Sequence, residues 1–217
     1  MQTKTKHLVN LALLSAIAYM LMVVIKIPVI LFLSYEPKDV IIVIGGLIYG
    51  PMSSFLISLV VSLVEMITVS STGWIGFVMN VLSTCAFACT AALIYKKNQK
   101  IQGAVVGLVA GGILTVVVMM LWNYLLTPIY MGVPRERVAA MLLPAFLPFN
   151  VLKVGINSAV TMLIYKPLVS ALRSASLVPP STAIRSADTK KPIGVLILSA
   201  CVLITCILSI LVLQGIL

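Results

Sequence analysis

Charge is what this chain has least of. Only 9% of its 217 residues are Asp, Glu, Lys or Arg, against about 25% in soluble domains. Just five residues are acidic and one is histidine. That histidine, His7, lies in the N-terminal tail, so no Ser/His/Asp set can be assembled around it. HExxH and paired aspartates on a helix are missing as well. So is GxxxxGK[S/T], which rules out nucleotide hydrolysis through a P-loop. Cys85, Cys89, Cys201 and Cys206 fall in apolar segments without CxxC or Cys/His spacing, and read as small hydrophobes rather than metal ligands.

What remains is apolar. Hydrophobic residues make up 61% of the chain, the composition of a polytopic membrane protein with one integral domain. The net charge of +10 does not point to nucleic acid, because no Lys/Arg run is interleaved with aromatics. The basic residues stand at the ends of apolar segments, where topology signals belong.

Apolar runs separated by breakers predict seven helices, roughly 8–26, 39–50, 52–71, 74–95, 103–129, 142–172 and 192–216. The start, MQTKTKHLVNLALLSAIAYML, has the basic lead and Ala16-Ile17-Ala18 of a signal peptide. Its apolar run continues to about Ile25, however, so a retained first helix is expected. The second segment is too short to span unless the membrane is thin there or its ends are buried in protein. Gly50-Pro51 marks a turn after it. Residues 173–191 are polar, contain Pro179-Pro180, and read as a cytoplasmic linker. The expected organisation is all-α: a six-helix membrane domain over 1–172, that linker, and an additional transmembrane helix over 192–217.

Lysine and arginine set the expected orientation. With a cytoplasmic N-terminus, Lys4, Lys6, Lys96, Lys97, Lys100, Lys166, Arg173, Arg185, Lys190 and Lys191 face inward. Only Lys26, Lys38, Arg135, Arg137 and Lys153 fall in the outer half, ten against five. The seventh helix then carries the C-terminus outside. Tyr49, Tyr95 and Tyr165 mark the inner interface, and Tyr35, Trp74 and Tyr130 the outer one. Small residues recur every four positions at Ala12/Ala16 and at Gly103/Gly107/Gly111. Such stripes let backbones approach closely. Packing within this chain suits the glycines, whereas the alanines suit a partner equally well.

Under this topology Glu65, Asn80, Asn123, Asn150 and Lys153, on four helices, reach a similar depth in the outer third. Asn157 lies on the stripe of Asn150, deeper in. Any single Asn could be an interhelical hydrogen bond, worth about 0.6 kcal/mol. Together they point to a polar pocket opening outward. An unpaired ammonium is too costly at that depth, so Glu65 or a ligand is expected to satisfy Lys153. The first loop, KIPVILFLSYEPKDV, mixes Ile30, Leu31, Phe32 and Leu33 with Glu36, Lys38 and Asp39, and suits a lid. Asp39 could instead N-cap the second helix. If the chain moves a solute uphill, another protein supplies the energy.

The stretches SAIAYMLMVVIKIPVI, YEPKDV, MNVLST, LWNYLLTPIYMG and PFNVLKVGINS carry a resemblance. In order and spacing the chain, over about residues 5–172, resembles the riboflavin-specific S components of energy-coupling factor (ECF) transporters, the RibU type. The resemblance implies a non-enzymatic six-helix subunit that binds riboflavin near the extracellular face, with the first loop as lid. It also implies docking on a transmembrane T component and two cytoplasmic ATPase subunits. Asn123, Asn150 and Lys153 match flavin-binding positions, Asn80 an asparagine near the pocket, and Asp39 the acidic end of the lid motif. Ala12 and Ala16 match the small-residue motif that contacts the T component. Glu65 stands where the pattern has a different polar residue, and the seventh helix lies outside it. That last helix is expected to be peripheral and dispensable for binding. Two other classes remain: a membrane enzyme using Glu65 and Lys153 as an acid/base pair, and a purely structural membrane subunit. Within the leading class the ligand could also be another small vitamin or a nucleobase-like compound.

Overall fold

A computed structural model describes residues 4–30, 33–70, 72–174 and 193–214. The linker from residue 175 onward, with Pro179 and Pro180, and the loop residues Leu31 and Phe32 lie outside the described residues. The seven expected helices are all present. The first spans Lys4–Val24, the second Lys38–Tyr49 and the third Pro51–Thr68. The fourth runs Gly73–Lys97 and the fifth Ile101–Met131. The sixth is a rod of Arg135–Met141, Leu142–Phe146 and Leu147–Ser174, and the seventh spans Ile193–Leu213. Among the described residues six of these are long and apolar enough to cross a membrane. The second is not.

With 12 residues the second helix is roughly 18 Å long, against a hydrocarbon core of about 30 Å. Protein surrounds it instead: Lys38 through Leu47 are all buried. It packs against the first, third, fourth and sixth helices and forms the axis of the bundle. Gly50, with φ of +97°, turns the chain into Pro51, the first residue of the third helix. Pro suits that first position because its missing N–H would have no helical partner there.

Two helices widen to π geometry for one turn, at Cys85–Cys89 and at Leu142–Phe146. The second of these precedes Pro148 and contains Pro144, residues that cannot donate to the helical ladder. The glycine stripe packs inside the chain. A Cβ on Gly107 would lie 2.7 Å from the Ala91 carbonyl oxygen, and one on Gly111 2.5 Å from that of Phe87. Only glycine lets the fourth and fifth helices approach so closely.

The first loop is not irregular. Ile27–Ile30 pairs antiparallel with Leu33–Tyr35 in a short hairpin, a β element that the all-α reading did not include. Tyr35, expected at the lipid interface, is instead buried, 5% exposed. Trp74 does project outward, and Tyr95 and Tyr165 meet at one depth with hydroxyls 3.5 Å apart. His7 packs edge-on against Tyr49, ring centroids 5.2 Å apart, at the far end of the second helix from the hairpin. The seventh helix packs along the sixth, and Gln214 just past its end donates from Nε2 to the Pro28 carbonyl of the hairpin. The start of the first helix and the end of the seventh therefore lie at opposite ends of the bundle.

Candidate functional site

Beneath the hairpin lies a cavity of about 240 Å³, just below the roughly 300–1,000 Å³ usual for organic-ligand pockets. Five of the six expected pocket residues line it: Glu65, Asn80, Asn123, Asn150 and Lys153. They come from the third, fourth, fifth and sixth helices, as the depth argument required. Apolar walls come from Met22, Met79, Met119, Tyr130 and Phe149. Asp39, the sixth, does not line the cavity. It stands behind Lys153.

Two of the asparagines are each held by their own helix. Asn123 donates from Nδ2 to the Met119 carbonyl (2.7 Å) and accepts from the Thr127 hydroxyl (3.0 Å). Asn150 donates to the Phe146 carbonyl at 2.7 Å. An amide has two donor hydrogens and two acceptor lone pairs. Each side chain is thus oriented by one turn-length bond and keeps donor and acceptor capacity toward the cavity. Thr127 is fully buried behind Asn123 and turned to it.

Lys153 is paired, but with neither Glu65 nor empty space. Its Nζ lies 3.1 Å from Asp39 Oδ2. Asp39 also accepts from the Thr84 hydroxyl at 2.6 Å and from Asn157 Nδ2 at 3.3 Å. Asn157 in turn accepts from the Tyr35 hydroxyl at 2.9 Å. Asp39 does not cap the second helix. The N-cap position is Pro37, and Asp39 sits in the first turn with its carboxylate aimed at the fourth and sixth helices.

Glu65 has a different cation. Lys38 Nζ stands 2.5 Å from Glu65 Oε2 and 3.2 Å from Glu36 Oε2, with Lys26 a further 3.8 Å from Glu36. Lys38 was read as one of the outer positive charges, yet it is 1% exposed. Adjacent helix residues point about 100° apart, so Lys38 and Asp39 serve different sides of the second helix. The charge-dense YEPKDV at a helix start was the available signal. Burial works against both ions, but each is rescued. Glu36 and Glu65 neutralise the Lys38 ammonium, and Lys153, Thr84 and Asn157 satisfy the Asp39 carboxylate. Burial and then the Asp39 carboxylate push the Tyr35 phenol up, so it stays protonated and donates.

The proposed acid/base pair of an enzyme is thereby not formed, since Glu65 and Lys153 each face another partner. What the arrangement can do is bind: fixed amides and the Lys153 ammonium, on apolar walls, beneath a hairpin.

The sequence profile described as "ECF transporter, substrate-specific component" matches residues 6–165. The chain belongs to this family. Among characterised relatives of this S component, the riboflavin transporter RibU of Staphylococcus aureus is 27% identical over 179 residues, 78% of this chain and 94% of the relative. The riboflavin transporter FmnP of Bacillus subtilis is 28% identical over 188 residues, 80% of this chain and 99% of the relative. A solved structure described as "Structure and mechanism of the S component of a bacterial ECF transporter" superposes with a TM-score of 0.67 at 28% identity. It covers 79% of this S component and 99% of its own chain.

Proposed function

We propose that this S component captures riboflavin from the extracellular side of the cell membrane for ATP-driven uptake, acting as a binding subunit rather than an enzyme. The observation that carries the reading is the convergence of Asn80, Asn123, Asn150 and Lys153 on one apolar-walled cavity. An isoalloxazine ring is flat and apolar, with carbonyl and ring-nitrogen acceptors along one edge. Amide and ammonium donors suit that edge, and Met and Phe side chains suit the faces. Glu65 and Asn80, on the same cavity, would serve the ribityl hydroxyls. Asp39 acts by holding Lys153 rather than by touching the ligand. Two ammonium groups (Lys26, Lys153) and two carboxylates (Glu36, Glu65) line the cavity, a balance suited to an uncharged ligand. The names of the relatives favour riboflavin over another vitamin.

Riboflavin is the cargo here, and no cofactor is invoked. The energy comes from outside the chain, from a T component and two cytoplasmic ATPase subunits. Ala12 and Ala16 stand exposed on the first helix and form the surface on which the T component docks. In the membrane the N-terminus is cytoplasmic and the hairpin, with the end of the seventh helix, extracellular. The test is equilibrium binding of purified protein to a vitamin panel, read by flavin fluorescence quenching. Tight binding of a different vitamin with none of riboflavin would overturn the assignment.

A further inference from the structure

The seventh helix was expected to be a bystander, yet it meets the hairpin in two ways. Gln214 donates to the Pro28 carbonyl. Cys206 and Ile210 share one buried apolar cluster with Val29 and Tyr35 of the hairpin and with Phe149, Leu152 and Ile156 of the sixth helix. Those three sixth-helix positions immediately precede Asn150, Lys153 and Asn157 in turn. Two neighbouring faces of one helix thus carry the apolar cluster and the polar stripe.

The polar side of the same contact leads to the pocket. Tyr35 donates to Asn157, Asn157 to Asp39, and Asp39 holds Lys153. Tyr35 and Asn157 are 5% and 1% exposed, so water does not substitute for either bond. We propose that Tyr35, Asn157 and the seventh helix are positioning elements for Lys153: the helix fixes the hairpin, and the hairpin fixes the ammonium through Tyr35, Asn157 and Asp39. This deepens the binding reading given above and depends on it only for the ligand used in one arm of the test.

The arm that needs no ligand is hydrogen–deuterium exchange on the full chain. Ile210→Ala with Gln214→Ala should speed exchange of hairpin amides between residues 27 and 35, while the third and fifth helices exchange as before. Unchanged hairpin exchange would overturn the brace. The second arm is stopped-flow riboflavin binding. Tyr35→Phe removes one hydroxyl, and its loss should raise the dissociation rate about 2- to 12-fold, the range of one net hydrogen bond, with the association rate unchanged. In a Lys153→Met background the same substitution should have no further effect. An equal effect in both backgrounds would show that Tyr35 does not act through Lys153. Wild-type protein that binds no riboflavin would refute the ligand assignment instead, and the exchange arm would still decide the brace.

Discussion

Replacing Lys153 by Met is the direct way to ask whether its ammonium binds ligand, but the ion pair complicates the answer. Asp39, with a side chain 2% exposed, would lose the cation at 3.1 Å. Breaking a buried pair from one side costs about 3–5 kcal/mol, a large part of a total stability of roughly 5–15 kcal/mol. Thr84 and Asn157 still donate to Asp39, which places the cost near the lower end, about 3 kcal/mol. The informative variant is therefore Lys153→Met together with Asp39→Asn, which removes both charges. Its stability should return to within about 1 kcal/mol of wild type, because neutral replacements of buried pairs are tolerated. Binding should not return. A hydrogen bond from a charged donor is worth about 1.5–3 kcal/mol, so riboflavin affinity should stay roughly 10- to 150-fold down. Thermal stability by size-exclusion chromatography and affinity by fluorescence quenching measure the two quantities separately. A double variant that binds within about 3-fold of wild type would make Lys153 purely structural.

Three further outcomes are expected. Ala12→Leu with Ala16→Leu should abolish uptake in cells while leaving flavin quenching by the purified protein unchanged, since both residues are exposed and neither lines the cavity. Lys38→Met should lower the melting temperature sharply by stranding Glu65, at about 3–5 kcal/mol, and adding Glu65→Gln should recover most of the loss. Gly111→Leu should yield poorly folded protein by size-exclusion profile, because the new Cβ would meet a backbone carbonyl that cannot move aside.

Depth was legible in the sequence, and direction around the helix axis was not. Hydrophobic runs and Lys/Arg positions placed Glu65, Asn80, Asn123, Asn150 and Lys153 at one level, and they share one cavity. The same reading offered Glu65 or a ligand as the partner of Lys153 and passed over Asp39, because it had no means of choosing between carboxylates. The choice is made by Lys38 and Asp39, neighbours whose side chains diverge from a helix with no lipid-facing side. The hairpin was hidden for another reason. Its four- and three-residue strands are too short for a period-2 pattern, and Tyr35 owes its burial to Asn157, 122 positions away. The seventh helix looked separate because a polar linker precedes it and its composition is uniformly apolar. Nothing in such a run indicates which flank packs.

The divergent pairs of the second helix also bear on how the protein is made. Lys38 meets Glu65 27 positions later, so that pair becomes available soon after the third helix leaves the ribosome. Asp39 must await Lys153, 153 − 39 = 114 positions on. At about 5–20 residues per second that is roughly 6–23 seconds of synthesis. During that interval the Asp39 carboxylate has no cation from the sixth helix, and entering the membrane interior without one is costly. The second helix is expected to take its place beside the sixth only after that helix has been inserted, an order that cross-linking of nascent chains of increasing length would check. The Lys153 side of the binding cavity is therefore completed only once the sixth helix has been made.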